Sequence, residues 1–487
     1  MTFLNYLSCE LLSDAVSRPS YDRKRVRPGI VHLGLGAFHR AHQALYTEAL
    51  LARGDPRWGI VGVHLREPRM AGVLARQDYL YSVTERTGET ATTRVVGALC
   101  GALHAPTALP RVLSLLAEPT VSIISTTVTE KGYSLNPATG DLDQNDPDLA
   151  HDLEHPEMPR STLGVLAAGI RQRPATAPLS VVCCDNMTAN GSTLRKLLFQ
   201  YASLFDRALA QRIHDDIAFP DCMVDRIVPA ATPATLAEAE ARLGVRDEAA
   251  IVCEPFTQWV IEDRFSGPRP AWEEAGALLT RDVALYQSMK LRLLNGTHSA
   301  LAYLGQLRNR ATVAEAMTDP LLAAFVTRLM CVDLLATVTV PDGFDVQAYC
   351  RDLLQRFTNP TLAHQTQQIA MDGTQKVPVR WLPALRESQA LGLERPALER
   401  ALAAWLHYLY CGRNEAGTPL VMSDPGAASL ITRLQASANA SALAQAAFEH
   451  TSVFGTAPWP QALIVRIARY LTQLREGGTD ALLASAG

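Results

Sequence analysis

The chain has 487 residues, 48% of them hydrophobic and 19% charged, with a formal charge of −4. That length suits two or three domains of ~150 residues, and that composition supports sizeable cores. The weakly acidic balance lacks a basic block and argues against a nucleic-acid partner. No uninterrupted apolar run reaches the ~18 residues of a membrane span. The first residues carry Glu10 and Asp14 and lack a basic region followed by an apolar core, so no signal peptide is expected. Of the nine cysteines, only Cys183 and Cys184 are close, and neighbours cannot grip a zinc as C-x-x-C does. The expectation is free thiols in a reducing cytoplasm, with no metal. Repeats and low-complexity segments are absent.

In chain order, residues 29–33 (GIVHL) form a short β-branched run that ends at Gly34. Helical periodicity follows over 41–53, and 58–63 (WGIVGV) reads as a second strand. Residues 79–84 and 93–97 look like an inserted antiparallel pair. Further strands fall at 121–128 and 179–184, with helices at 107–116, 162–171 and 192–204. Strands alternating with helices predict an α/β fold: a Rossmann-type, doubly wound parallel sheet over 1–284. From there to the end, amphipathic segments at 321–338, 346–357, 396–410 and 461–475 predict a mostly α-helical domain over 285–487. Pro396 suits the first position of its helix, where no N–H is needed.

The first strand runs into G-L-G, at Gly34 and Gly36. The first glycine permits a tight turn, and the second lets a pyrophosphate approach the backbone. Ala37 and Phe38 then open a helix whose N–H groups face the phosphate. His39 stands where a third glycine completes the dinucleotide fingerprint, and a plain strand–helix turn is the alternative. After the second strand come Arg66 and Glu67. A carboxylate there accepts from ribose hydroxyls and repels a 2′-phosphate, favouring NAD; Arg66 beside it can pair with that phosphate.

The most informative stretch is MKLRLLNGTHSALAYLG, with Lys290, Asn295 and His298. It reads as one helix, on which these three polar groups fall within an arc of roughly 140°. A lysine in an apolar helix loses hydration, which lowers its pKa and lets it take a proton near pH 7. An amide and an imidazole beside it can hold the oxygen that carries the proton. The alternative is a buried lysine with satisfied neighbours. The segment is expected to open the second domain and to face a cleft.

Six blocks, VHLGLGAFHRAHQALYTEAL, TTVTEKGY, CCDNMTANG, DCMVDRIVP, CEPFTQWVIEDRF and MKLRLLNGTHSALAYLG, resemble the polyol-specific long-chain dehydrogenases and reductases, in family order. The resemblance runs from about residue 30 to 305 and continues more weakly to the C-terminus. It implies a Rossmann domain joined to a helical domain like that of 6-phosphogluconate dehydrogenase. It also implies NAD as cofactor, no metal and a monomer or weak oligomer. Lys290 then matches the base, Asn186 and Asn295 the asparagines that hold the alcohol or alkoxide oxygen, and His298 the histidine that positions substrate. Glu130 and Asp225 match acidic residues of the site. Both Asn186 and Glu130 end parallel strands at the carboxyl edge, where open α/β sheets bind ligands. From there Glu130 can pass the proton from Lys290 to water. The alternative for Asp225 is an ion pair with Arg226 or another base.

QIAMDGTQKVPVR resembles the fructuronate reductase branch more than the mannitol dehydrogenase branch. Gln368 stands where the mannitol branch has arginine, Lys376 matches its lysine, and Arg380 follows. A hexonate carries a carboxylate that arginine can hold bidentately, so Lys376 and Arg380 are the candidates for it. The expected small-molecule substrate is D-mannonate or D-fructuronate, with mannitol or arabinitol as alternatives. Gln287, where the mannitol branch has glutamate, cannot relay protons. Two rivals differ in class. Y-x-x-x-K at Tyr286 and Lys290 spells the short-chain dehydrogenase pair, but that pair belongs in a single domain of ~250 residues after another glycine pattern. A non-catalytic dinucleotide sensor has no need of a base.

Overall fold

β-Branched runs in the first half become parallel strands because the helices between them bury both sheet faces. The computed structural model describes residues 2–88, 90–136 and 139–484. Its main sheet consists of β1 (Pro28–Leu33), β2 (Gly59–His64), β3 (Leu99–His104), β4 (Ile123–Thr126), β5 (Leu179–Cys183) and β6 (Ile217–Ala218). All pairings are parallel, and the order is β3-β2-β1-β4-β5-β6. That is the doubly wound order of dinucleotide-binding folds, with its reversal between β1 and β4.

Side chains of the central strands alternate between the two faces. Ile30, Ile60, Ile123 and Val182 enter one core with Ala44, Leu50 and Leu74. Val31, Val61, Val63, Ile124 and Val181 enter the other with Val112, Leu116, Leu166, Ile170, Leu194 and Leu198. A slip of one residue in any strand would exchange these sets, so burial on both sides fixes the register.

Three elements differ from the sequence expectation. β3 was not expected, because its Cys100, Gly101 and Ala102 lack the β-branched signature. It forms because β2 supplies a ladder from Ile60 to His64. β4 is shorter than the predicted 121–128 because Val128 and Thr129 give their N–H groups to the Asp185 carboxylate rather than to a neighbouring strand. The predicted helix at 41–53 starts earlier and is interrupted. Ala37–Ala41 and Gln43–Ala52 are separated by His42, at φ −127°, ψ −91°.

The inserted antiparallel pair is Tyr81–Thr87 with Thr90–Val96. Val16–Ser17 and Ile251–Cys253 flank it. Cys222–Asp225, Gln258–Glu262 and Leu278–Thr280 make a further small sheet.

The chain forms two compact units, Met1–Gln287 and Ser288–Gly487, and the helix Val283–Met289 carries it from one to the other. The second unit is helical. Pro396–Cys411 packs on Gln461–Ala484 and contributes Leu398, Leu402, Trp405 and Leu406 to its core. Pro396 lies in the first turn of its helix, as its missing N–H favours, and Gly412 (φ +59°) ends it. The Asp333 carboxylate accepts the buried first-turn N–H groups of Ala397 and Leu398 at 2.6 and 3.0 Å.

One segment, Pro320–Thr337, is long and apolar enough to cross a membrane by length and mean hydropathy. Arg328 and Asp333 interrupt its apolar sequence. It is not a straight helix: Pro320–Arg328 is α-helical, Leu329–Leu334 is a π-helix and Leu335–Thr337 is 3₁₀. Leu322, Phe325, Val326, Leu329 and Met330 are buried.

Candidate functional site

In the first unit the site grows from the turn after β1. Gly34 has φ +92°, a conformation that glycine adopts without penalty. A Cβ there would stand 2.2 Å from the Thr127 carbonyl oxygen, so the turn also needs glycine for its close approach to the end of β4. Gly36 is different. Its φ is −85°, and a Cβ would meet nothing closer than 3.7 Å. The position lies open, as a backbone that receives a pyrophosphate requires. Ala37 and Phe38 form the first turn of the helix Ala37–Ala41, where N–H groups have no acceptor within the helix.

The sequence did not single out His32. It is fully buried in β1, and its ring fastens the glycine turn. Thr127 Oγ1 donates to Gly34 O at 2.8 Å and accepts from His32 Nε2 at 2.9 Å. That arrangement leaves His32 Nδ1 to accept from Ser125 Oγ at 2.8 Å. Burial pushes the imidazole down to about 3, so it is neutral. His39 stacks on it at 3.4 Å and is held well below its ordinary value by burial. An imidazole fills the place of the third glycine as part of the core.

A depression of about 200 Å³ lies beside the turn, lined by Gly34, Arg66, Val128, Thr129, Lys131 and Arg160 among others. Arg66 lines it and is ion-paired with Asp148 at 3.3 Å. Glu67 is exposed after β2 and caps the next helix, accepting from Arg69 N–H at 2.8 Å.

At the carboxyl edge, β5 delivers Asp185 and the exposed Asn186, while the chain beyond β4 delivers exposed Glu130. Asp225 is buried at the end of Cys222–Asp225. Its neighbour Arg226 turns elsewhere, donating to Ala41 O, Glu254 O and the Glu85 carboxylate.

Gln287 has a role the sequence did not reveal. Its carbonyl accepts from Ala189 N–H at 3.0 Å, and its NH₂ donates to Cys222 O at 2.9 Å. The amide thus clamps the chain beyond Asn186 to the strand that ends in Asp225. A glutamate carboxylate could not donate to Cys222 O.

In the second unit, the expected single α-helix through Lys290 is corrected. Lys290–Gly296 is a π-helix that continues into the α-helix Thr297–Leu307. The 140° arc assumed uniform α-helical rotation, whereas the wide turn closes i→i+5 hydrogen bonds. Lys290 and Asn295 stand five apart within it. The loosened carbonyls find side-chain donors: Arg380 Nη1 bonds Asn295 O at 3.1 Å, and Trp381 Nε1 bonds Gly296 O at 3.0 Å. Widened turns of this kind recur at functional sites.

Lys290 is buried at 6% exposure, and Asn295 is half-buried. His298 is buried against Phe357, with its Nε2 lacking a hydrogen-bond partner. An orphaned buried nitrogen is a place for a ligand hydroxyl. Burial holds this imidazole well below its ordinary value, aided by His364, Arg356, Arg380 and Lys290.

Arg380 is half-buried and also donates to Ser299 Oγ at 2.9 Å. Lys376 Nζ donates to Ile369 O at 3.0 Å, and its charge helps burial push His364 down to about 4. Gln368 is exposed on the short helix Thr366–Ala370. Arg356, which the sequence reading missed, belongs to this cationic group; no local motif distinguishes it from other helix-surface arginines.

A doubly wound sheet with a glycine turn at its switch point, and a helical unit that buries a lysine beside an amide and an imidazole, define a dinucleotide-fold oxidoreductase. The profile of the mannitol dehydrogenase Rossmann domain matches residues 28–274, and that of the mannitol dehydrogenase C-terminal domain matches 282–475. The chain belongs to the mannitol dehydrogenase family.

It is 43% identical to the D-mannonate oxidoreductase of Escherichia coli (strain K12), over 84% of this chain and 85% of that one. It is 42% identical to an uncharacterized oxidoreductase of the same organism, YdfI, over 91% and 92%. Among solved structures, the Pseudomonas fluorescens mannitol 2-dehydrogenase ternary complex with NAD and D-mannitol superposes with a TM-score of 0.90 at 35% identity. That match covers 99% of each chain.

Proposed function

We propose that this chain interconverts a secondary alcohol and a ketone in a linear sugar acid, D-mannonate and D-fructuronate, using NAD and no metal. The observation that carries the substrate assignment is the gathering of Lys290, Arg356 and Arg380 about His298, with Lys376 beside His364. Such a concentration of positive charge favours a carboxylate, which arginine binds bidentately. Similarity to a D-mannonate oxidoreductase supports the same reading.

The glycine turn suits the cofactor, because Gly36 leaves its backbone open and Gly34 holds the turn tight against β4. NAD supplies the hydride acceptor. Lys290, short of hydration, takes the hydroxyl proton as hydride leaves the carbon. The amides of Asn186 and Asn295 donate to the developing alkoxide, an interaction of ~3–4 kcal/mol per donor in related oxyanion sites. His298 Nε2 bonds a substrate hydroxyl and orients the chain of carbons. Glu130 carries the proton onward to water, and Asp225 holds a further hydroxyl. The neutral Gln287 leaves Glu130 as the acid for that transfer.

A second reading, a neutral polyol such as mannitol, has support in the full-length likeness to a mannitol 2-dehydrogenase. Comparing kcat/KM for fructuronate, tagaturonate, fructose, mannonate and mannitol with NAD(H) separates the two. The acids should lead by at least tenfold, roughly the worth of one charged hydrogen bond. Faster turnover of mannitol than of mannonate moves the enzyme to the polyol reading.

A further inference from the structure

The residue before Asn186 is an acid that the reaction scheme leaves unused. Asp185 is 8% exposed at the end of β5. Its Oδ1 accepts from Thr129 N–H at 2.8 Å, and its Oδ2 accepts from Val128 N–H at 3.1 Å and from the Tyr133 hydroxyl at 2.5 Å. Tyr133 is fully buried, and its oxygen also lies 2.5 Å from Thr126 Oγ1.

These bonds hold a segment in a conformation it would not otherwise keep. Thr129 sits at φ +68°, in the left-handed region that a β-branched residue avoids. Such a backbone persists only where its surroundings over-determine it. Glu130 is the next residue and opens the short turn Glu130–Tyr133. One carboxylate therefore fastens the turn at both ends, by the Thr129 N–H before Glu130 and by the Tyr133 hydroxyl after it.

The same residue shapes the bend at Asn186. The Asp185 carbonyl accepts from Met187 N–H at 2.8 Å and from Asn190 Nδ2 at 3.0 Å.

We infer that Asp185 is a positioning residue for proton transfer: it fixes Glu130 where it receives the proton and holds the bend that presents Asn186. The inference rests on the proposed role of Glu130. Its chemistry is one of acceptor count. An ionised carboxylate offers two oxygens to three converging N–H and O–H donors, with the Cys183 thiol a weaker fourth at 3.9 Å. Burial lifts the carboxyl to about 6 against those hydrogen bonds, so near pH 7 it is ionised and accepts all three. An amide offers one oxygen and turns its NH₂ against either the Thr129 N–H or the Val128 and Tyr133 donors. The turn is then released from the strained conformation.

The test is a double-mutant cycle on the full-length enzyme, reading kcat in single turnovers and KM for NAD. Asp185→Asn is expected to lower kcat roughly ten- to a hundredfold, as an ångström of misplacement does. KM for NAD is read beside it because Val128 and Thr129 also line the depression beside the glycine turn; the inference is carried by the dependence of the kcat loss on Glu130. In a Glu130→Gln background the same change should lower kcat less than about threefold, since the group it positions is already gone. Tyr133→Phe removes one of the three donors and keeps the carboxylate. It should show a smaller loss with the same dependence on Glu130, and it carries the test if Asp185→Asn does not fold. Equal fold-losses in both backgrounds overturn the inference and leave Asp185 a structural residue. A Glu130→Gln enzyme with near-normal kcat overturns the role of Glu130 itself, and this inference with it; that failure shows in the single variant.

Discussion

Gly34 and Gly36 stand two residues apart in one motif, yet the structure separates their roles sharply enough to test. At Gly34 an alanine must adopt φ +92°, outside the usual range of L-residues, at about 1–2 kcal/mol. Its Cβ also meets Thr127 O at 2.2 Å and Thr127 C at 2.7 Å, backbone atoms that cannot rotate away. Displacing such a packed segment adds about 1–3 kcal/mol. Together Gly34→Ala should destabilise the protein by roughly 2–5 kcal/mol. Spread over a unit of 287 residues, at an unfolding entropy near 2.1 cal/mol/K per residue, that lowers Tm by roughly 3–8 °C.

Gly36→Ala has neither penalty, since φ is −85° and the nearest heavy atom is 3.7 Å away. Its Tm should stay within about 1 °C of the parent, as expected for a substitution that touches none of the destabilising features. If the pyrophosphate passes over Gly36 as proposed, the new methyl stands in the way and Kd for NADH should rise at least tenfold, or about 1.4 kcal/mol. Calorimetric unfolding without cofactor and fluorescence titration with NADH measure the two effects. Unchanged NADH affinity in Gly36→Ala would refute the assignment of this turn to the cofactor. An unchanged Tm in Gly34→Ala would refute the steric argument.

Glu67→Lys should relax or reverse the preference for NAD over NADP, read as the ratio of kcat/KM values; a parent enzyme that already favours NADP would show that Arg66 decides the matter. Arg380→Ala should raise KM for fructuronate ten- to a hundredfold more than for fructose, the loss of a charged hydrogen bond of ~1.5–3 kcal/mol. Because Arg380 also holds Asn295 O, equal losses on both substrates would assign it to supporting the wide turn alone. His32 is neutral when folded, at about 3, and titrates near 6.5 when unfolded. Its share of stability is therefore intact above pH 6.5 and is lost as pH falls toward 3, by about 2 kcal/mol between pH 7 and 5. His64 and His364, both at about 4, act in the same direction. Glu48, lifted to about 7, and Asp185, to about 6, act in the opposite one. The histidines predominate, so Tm should fall from pH 7 to pH 5; a Tm that rises over that interval would contradict their burial.

The alternation of apolar runs and helical segments carries most of the fold on its surface. Strands such as β1, β2 and β5 are buried on both faces, and continuous Val/Ile runs advertise that. β3 escaped because its Leu-Cys-Gly-Ala-Leu sequence has no strand signature and becomes a strand only beside β2. Lys290, Asn295 and His298 stand out as candidates in the sequence because three polar groups interrupt an apolar stretch. The π-helical turn that spaces them was not, since its hydrogen bonds depend on Arg380 and Trp381, some eighty-five residues away. His32 and Asp185 were invisible for a related reason. Each is an ordinary polar residue in sequence, and only the folded sheet shows that several donors or acceptors converge on it. In sequence Gln287 shows only as an amide that cannot relay protons; that it both accepts from Ala189 N–H and donates to Cys222 O appears only in the fold.

The most direct test of the central claim is the pH dependence of alcohol oxidation by Lys290→Ala beside the parent enzyme, with NADH binding checked in both. If the buried lysine in the wide turn is the base, kcat falls at least a hundredfold, within the ~10²–10⁴ typical of general-base catalysis. The ionisation that shapes the parent profile disappears, while NADH affinity is kept. A variant that retains near-normal kcat and the parent pH profile would contradict the account.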